Sequence, residues 1–294
     1  MRLLQLRDNG DFSLVEHVGK EIPPYAILSH TWGADKEEVS FKDLIEGIGK
    51  NKAGYRKLVF CANQAAQDGL QFFWVDTCSI DKSSSAELSE AINSMFQWYS
   101  RAEKCYVYLS DVSITGHIQG DQSSQNPWRL MFRHSRWFTR GWTLQELLAP
   151  KAVEFFSADG DRLGDKISLI QEIQEATGIC AQAIQGSPLS QFTVPERMLW
   201  AESRKTTREE DAVYALLGIF DVYMPPLYGE GRGKALARLY REIEYLRLGK
   251  PLPSSTVPFR RDDDFISRDI LDKIRQVCAR PASRAALVGL GGVG

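Results

Sequence analysis

Four short apolar runs, each closed by a polar residue, constrain this chain more than any other feature. Tyr25–Ser29 (YAILS), Leu70–Asp76 (LQFFWVD), Lys104–Asp111 (KCYVYLSD) and Ala152–Ser157 (AVEFFS) are almost continuously apolar. Runs of that kind belong to strands covered on both faces, which is the habit of parallel sheets. Helical spacing lies between them. Leu58, Cys61, Ala62 and Ala65 share one helix face, with Gly69 placed to end it. Ser84 and Glu87 stand in capping-box register ahead of a stripe of Leu88, Ile92, Met95 and Tyr99. Strand–helix alternation predicts an α/β fold with a mostly parallel sheet flanked by helices.

After about residue 165 the pattern becomes helical throughout. Three helices are expected there: ISLIQEIQEATGI, then TTREEDAVYALLGIF with Thr207 and Glu210 as a capping box, then GKALARLYREIEYLRL with Leu236, Leu239, Ile243 and Leu246 on one side. This half reads as a helical elaboration packed on the α/β half, so one domain is expected over 1–248. A Pro-, Ser- and charge-rich linker follows over 249–265. The tail, 266–294, ends in Gly289-Leu290-Gly291-Gly292-Val293-Gly294. These glycines fit the start of a phosphate-binding loop, but the Lys and Ser or Thr that would complete it are missing. The tail therefore reads as the truncated start of a nucleotide-binding domain that cannot hold ATP by this motif. The polar stretch 115–127 reads as a surface loop.

Several function classes are disfavoured. A net charge of -2 offers no basic field for nucleic acid or acidic lipid. No apolar run approaches the roughly 20 residues of a membrane span. The five cysteines are scattered without CxxC spacing, and the four histidines do not cluster with them. Neither a disulfide framework nor a metal site is expected, and a reducing, cytoplasmic setting fits.

In open α/β sheets, ligands sit beyond the carboxyl ends of the strands. The first run delivers Ser29, His30 and then Trp32 to that edge, the second Asp76, and the third Ser110 and Asp111. A short helix in SRWFTRGWTLQELLAP, stopped by Pro150, would add Arg140, Trp142 and Glu146, with Trp142 and Glu146 four apart on one face. Each has a structural alternative: Ser29 and His30 bonding loop backbone, Trp32 covering the core, Asp76 capping the next helix, Asp111 forming a turn, Arg140 pairing with a nearby carboxylate, Glu146 solvated. A Ser29–His30–Asp76 hydrolase triad is disfavoured, because adjacent side chains rarely face each other and no GxSxG elbow is present.

Taken together, YAILSHTWG, FFWVDTCSID, RGWTLQELLAP and the helical segment from ERMLWAESRK to LYGEG resemble the heterokaryon-incompatibility (HET) domain of filamentous fungi, over roughly residues 1 to 248. In the second block Cys78-Ser79-Ile80-Asp81 departs from the family's Asn-Gln after Cys-Ile. The resemblance implies the effector of a larger receptor with a central nucleotide-binding domain, and an outcome of programmed cell death. WTLQEL (Trp142 to Leu147) is also similar to a block of plant TIR domains, which implies a TIR-like sheet and places Glu146 on the carboxylate that TIR enzymes use to cleave NAD+.

The implied chemistry suits a lone carboxylate. Nicotinamide leaves NAD+ without a general acid, and the oxocarbenium-like ribose left behind calls for one anion in a water-poor site. On this reading Glu146 is catalytic, and Ser29, His30, Trp32, Asp76, Trp142 and Arg140 bind substrate. NAD+ is the substrate, no cofactor is needed, and self-association accompanies activation. The rival expectation is a non-enzymatic, self-associating adaptor in which Glu146 is a surface or packing residue.

Overall fold

All four runs form strands, and they lie side by side. In the computed structural model, which describes residues 1–7, 10–17, 19, 21–114 and 127–248, they are β3 (Tyr25–His30), β4 (Phe72–Trp74), β5 (Lys104–Tyr108) and β6 (Val153–Phe156). The described residues lie within one unit, Met1–Lys250. The linker and tail expectations lie outside the described residues, and so does the loop expected over 115–127 except for Pro127, which opens a helix.

Pairing is parallel for β4 with β3, β3 with β5 and β5 with β6. Three antiparallel strands extend this centre: β1 (Arg2–Leu6), β2 (Phe12–Glu16) and β7 (Arg162–Asp165). The sheet order is β2-β1-β4-β3-β5-β6-β7. The sequence reading did not include these edge strands. The N-terminal hairpin did carry a signal, Asn9-Gly10 between two short alternating segments.

Strand β3 sits in the middle, and all six of its residues are buried. Alternate side chains take opposite faces. Tyr25 and Ile27 join Ile92, Met95 and Tyr99 of a long helix, Ser85–Arg101, on one side. Ala26 and Leu28 join Leu58, Cys61, Ala62 and Ala65 of the helix Tyr55–Gln67 on the other. That shorter helix ends as its sequence predicts, with Gly69 at a φ of 74°.

Twelve helices are described. They are α1 (Phe41–Ile45), α2 (Tyr55–Gln67), α3 (Asp76–Ser79), α4 (Ser85–Arg101), α5 (Pro127–Arg133), α6 (Thr143–Leu148), α7 (Ile170–Thr177), α8 (Ala181–Ile184), α9 (Val194–Glu202), α10 (Asp211–Tyr214), α11 (Leu217–Phe220) and α12 (Arg232–Leu248). None of them is long and apolar enough to cross a membrane.

Three local expectations are corrected. Ser84 caps α4 through the Glu87 N–H, but the Glu87 carboxylate turns to Arg2 and to the Asp81 N–H (2.7 Å) instead of closing the box. The Thr207–Glu210 box does not form. Glu210 accepts the N–H groups of Gly229 (2.8 Å) and Gly231 (3.1 Å), and the expected single helix breaks into α10 and α11. On α12 the buried stripe is Ala235, Leu239 and Ile243, whereas Leu246 is exposed.

Close packing fixes one residue of α11. A Cβ added to Gly218 would lie 2.1 Å from the Phe96 side chain of α4, so only glycine fits. Gly233 on α12 meets nothing within 4 Å. Gly218→Ala is expected to destabilise the fold by about 1–3 kcal/mol through overpacking. Gly233→Ala should be neutral or stabilising by up to ~1 kcal/mol. Denaturant unfolding of the two variants checks the contrast, and equal effects would contradict this packing.

Candidate active site

The carboxyl end of β3 carries two adjacent residues into two different polar clusters. Ser29 and His30 point to opposite faces, as neighbours in a strand must.

On the α4 side, the approach to α6 sets the geometry. A 3-10 turn, Arg136–Thr139, is capped by Ser135, whose hydroxyl accepts the Trp137 N–H. Asp111 holds the start of that turn, accepting from Ser135 Oγ (2.7 Å) and the Arg136 N–H (2.8 Å). The chain then passes Gly141 against Thr206, where a Cβ would meet the Thr206 methyl at 2.4 Å. Thr143 ties turn to helix by donating to the carbonyls of Trp137 (2.6 Å) and Arg140 (2.9 Å). Leu144, Leu147 and Leu148 enter the core.

This arrangement drives the Trp137 indole inward. Its N–H donates to Ser29 Oγ at 2.8 Å, so the Ser29 hydroxyl is left to donate to Glu146 Oε2, at 2.5 Å. Glu146 is only 5% exposed. Burial, and after it the charge of Asp76, raise its pKa to about 8. Ser29, the Arg204 guanidinium and Tyr99 act in the opposite direction and are outweighed.

Arg204 is itself buried and pushed down to about 10 by desolvation. It donates to the Arg140 carbonyl and Thr143 Oγ1, both at 2.9 Å, and to the Trp200 carbonyl at 3.2 Å. Its second amino group, Nη2, has no hydrogen-bond partner among the described residues. A free donor on a buried cation, within electrostatic reach of Glu146, can support that carboxylate once it ionises.

On the α2 side, a chain of donors runs outward from a buried ammonium. Lys57 Nζ donates to Glu38 Oε1 (2.5 Å) and the Thr31 carbonyl (3.1 Å), and lies 3.1 Å from His30 Nδ1. An ammonium has no lone pair to offer, so Nδ1 must accept. The His30 proton therefore sits on Nε2, which reaches Asp76 Oδ1 at 3.1 Å. Asp76 Oδ2 accepts the Trp32 indole N–H at 2.8 Å. Burial pushes Asp76 up, but the His30 bond, the nearby Lys82 ammonium and the Trp32 bond outweigh it and hold the carboxyl below its usual range. Asp76 thus stays ionised, and its charge is one reason Glu146 does not.

Of the sequence-predicted residues, the fold brings Ser29 and Glu146 into direct contact. It brings His30, Asp76 and Trp32 together in the neighbouring cluster. The triad alternative is ruled out by geometry, because both His30 nitrogens are engaged away from Ser29. Asp76 opens α3, yet its carboxylate faces His30 and Trp32 and does not cap that helix.

Two of the predicted residues stand apart from these clusters. Trp142 stands at the N-cap of α6, outside the helix proper, and its indole bonds Asp211; the indole coupled to Glu146 is Trp137. Arg140 contributes its backbone carbonyl to Arg204 and Thr143, and its guanidinium is joined to neither cluster. Sequence reasoning also missed Lys57, Glu38, Tyr99 and Arg204.

Two clefts, of about 450 and 440 Å³, lie away from these clusters. One is beside β2 and α1, the other between α9 and α12. Glu146 lines neither. No group of three or more His, Cys, Asp or Glu suited to a metal occurs among the described residues.

Comparison with known proteins adds the family context. Residues 25–127 match the family model described as heterokaryon incompatibility protein (HET). The vegetative incompatibility protein HET-E-1 of Podospora anserina is 56% identical over 244 residues, which is 83% of this chain. The chain spans only 18% of that relative's length. No solved structure matches.

The burial of Glu146 has a measurable cost. An unfolded glutamate releases its proton near pH 4.5, whereas the folded one keeps it to about pH 8. Its contribution to stability is therefore complete below about pH 4.5 and is lost as pH rises through about 8. Within that window the loss is about 1.4 kcal/mol per pH unit at most. Glu146→Gln removes the titration, so its stability relative to the wild type should climb with pH across the window. Chemical denaturation at pH 5, 6.5 and 8 checks this, and a pH-independent difference would contradict it.

Proposed function

The chain belongs to the heterokaryon-incompatibility family, and we propose that its Met1–Lys250 unit is a fungal incompatibility effector that triggers cell death by cleaving NAD+ at the N-glycosidic bond, with Glu146 as the catalytic carboxylate. The observation that carries this reading is a buried carboxyl, bonded to Ser29, at the carboxyl end of the central strand in the parallel centre of a mixed sheet. That is where α/β sheets bind ligands. A desolvated acid beside an ionised one is also the arrangement that sets a group's proton affinity for catalysis.

The reaction balances without a cofactor. The C1′–N bond of NAD+ breaks, nicotinamide leaves with the electron pair, and the ribose becomes oxocarbenium-like. A water adds at C1′ and gives up one proton, yielding ADP-ribose. Glu146 is protonated in the free protein near neutral pH. The approaching pyridinium and the developing ribose cation favour its ionised form, its proton passing to solvent as substrate binds, with Arg204 and the Ser29 hydroxyl as supports. The carboxylate then stabilises the cation and accepts the proton of the attacking water.

Because Glu146 is covered, the single chain corresponds to a resting form, and self-association on activation opens the site. In this reading the unit is a TIR-like effector at the start of a longer receptor, acting on the NAD+ pool inside the cell. The same burial favours a second reading, a non-enzymatic adaptor in which Glu146 only packs.

Nicotinamide release at high protein concentration separates the two. The wild type should release nicotinamide, with kcat/KM rising about tenfold per pH unit up to about pH 8. Glu146→Gln, folded, should lose at least ~100-fold. A folded Glu146→Gln protein that turns over at the wild-type rate would sink the catalytic role of Glu146, and a wild type that releases no nicotinamide would leave the adaptor.

A further inference from the structure

Trp32 is the one member of the two clusters that meets solvent broadly, at 44% exposure. Its position is nevertheless fixed from behind. The indole N–H is bonded to Asp76, Asp76 to His30, His30 to Lys57, and Lys57 to Glu38 and the Thr31 carbonyl. Preorganised aromatic surfaces of this kind bind with little ordering cost. The N–H bond to an ionised carboxylate also feeds electron density into the indole, so its face attracts positive charge more strongly. A cation already sits there: Lys82 Nζ lies 3.6 Å from the ring centroid. Lys82 comes from the exposed turn between α3 and α4.

We propose that the face of Trp32 is a subsite for a cationic aromatic ring, a pyridinium, and that Lys82 is its built-in competitor, occupying the face until such a ring displaces it. This rests on the reading of NAD+ as substrate, whose nicotinamide ring is a pyridinium. A flat cation makes both contacts that the face offers, stacking and charge, whereas an ammonium makes only the second. Lys82, on an exposed turn and drawn also to Asp76, gives up only a charge contact with the ring, so the exchange favours the pyridinium. Asp76 links the subsite to the chemistry, because it holds the indole and its charge acts on Glu146. Discharge of the pyridinium as neutral nicotinamide removes the charge that held it, and Lys82 can return. The face thus discriminates between substrate and product by charge.

The test uses two ligands that are not cleaved, the 1-methylnicotinamide cation and neutral nicotinamide, titrated into the full chain and followed by NMR. The cation should bind about tenfold more tightly, the scale of one cation–π contact with partial desolvation. Trp32→Leu should abolish this preference. Lys82→Met, on an exposed turn, should leave the fold intact by thermal melting and tighten cation binding severalfold, because the competitor is gone. Equal affinity for the two ligands, no binding of either, or weaker cation binding by Lys82→Met would each overturn the proposal. Nicotinamide release from NAD+ is measured on the same preparations. Release with an unchanged KM in Trp32→Leu overturns the subsite alone. A cation preference without any release leaves the subsite standing and removes the hydrolase reading.

Discussion

The hydrogen bond from Ser29 to Glu146 joins the central strand to α6 at the point where a carboxyl has been taken out of water. It exists because a tryptophan claims the other side of the serine oxygen. Trp137 donates to Ser29, so the serine hydrogen has to go to Glu146. The 3-10 turn that inserts Trp137, the glycine that lets the chain pass Thr206, and the threonine that ties turn to helix all serve this one contact. Burying an acid without a paired cation is unfavourable, and the molecule answers mainly by keeping the proton.

The alternation of a single strand explains the rest of the site. Ser29 faces α4 and α6, and His30 faces α2, so one step along β3 separates a neutral acid from an ionised one. Lys57 fixes the His30 proton on Nε2, which secures Asp76 as an acceptor. The charge on Asp76 then acts back on Glu146. Two carboxyl groups that differ only in their surroundings therefore hold different protonation states, as acid–base sites require.

Much of this was legible in the sequence, and the exceptions have physical reasons. The parallel centre was readable because strands buried on both faces must be apolar throughout. The edge strands are short and partly exposed, so their signal is weak, and only Asn9-Gly10 marked the hairpin. Ser29, His30, Asp76 and Trp32 were findable because each closes or follows an apolar run, and Glu146 because it is the one carboxylate in a short helix otherwise suited to burial. Trp137 was missed because helical spacing from Glu146 points to Trp142, whereas the helix starts at Thr143 and a 3-10 turn precedes it. Lys57 sits in an amphipathic helix where a lysine normally reads as solvated; its burial depends on Glu38, brought near only by the fold. The Thr207–Glu210 box failed because two glycine N–H groups, distant in sequence, compete better for the Glu210 carboxylate.

The central claim is that Glu146 holds a proton in the free protein and gives it up against a cationic substrate. Infrared difference spectroscopy of the carboxyl stretch tests this directly, comparing wild type with Glu146→Gln as a non-hydrolysable NAD+ analogue with an intact pyridinium is added near pH 7. A protonated-carboxyl band present in the free wild type, absent from the variant and lost on binding the analogue is the result expected. A wild type with no such band, or one that keeps it unchanged with the analogue bound, would contradict the account.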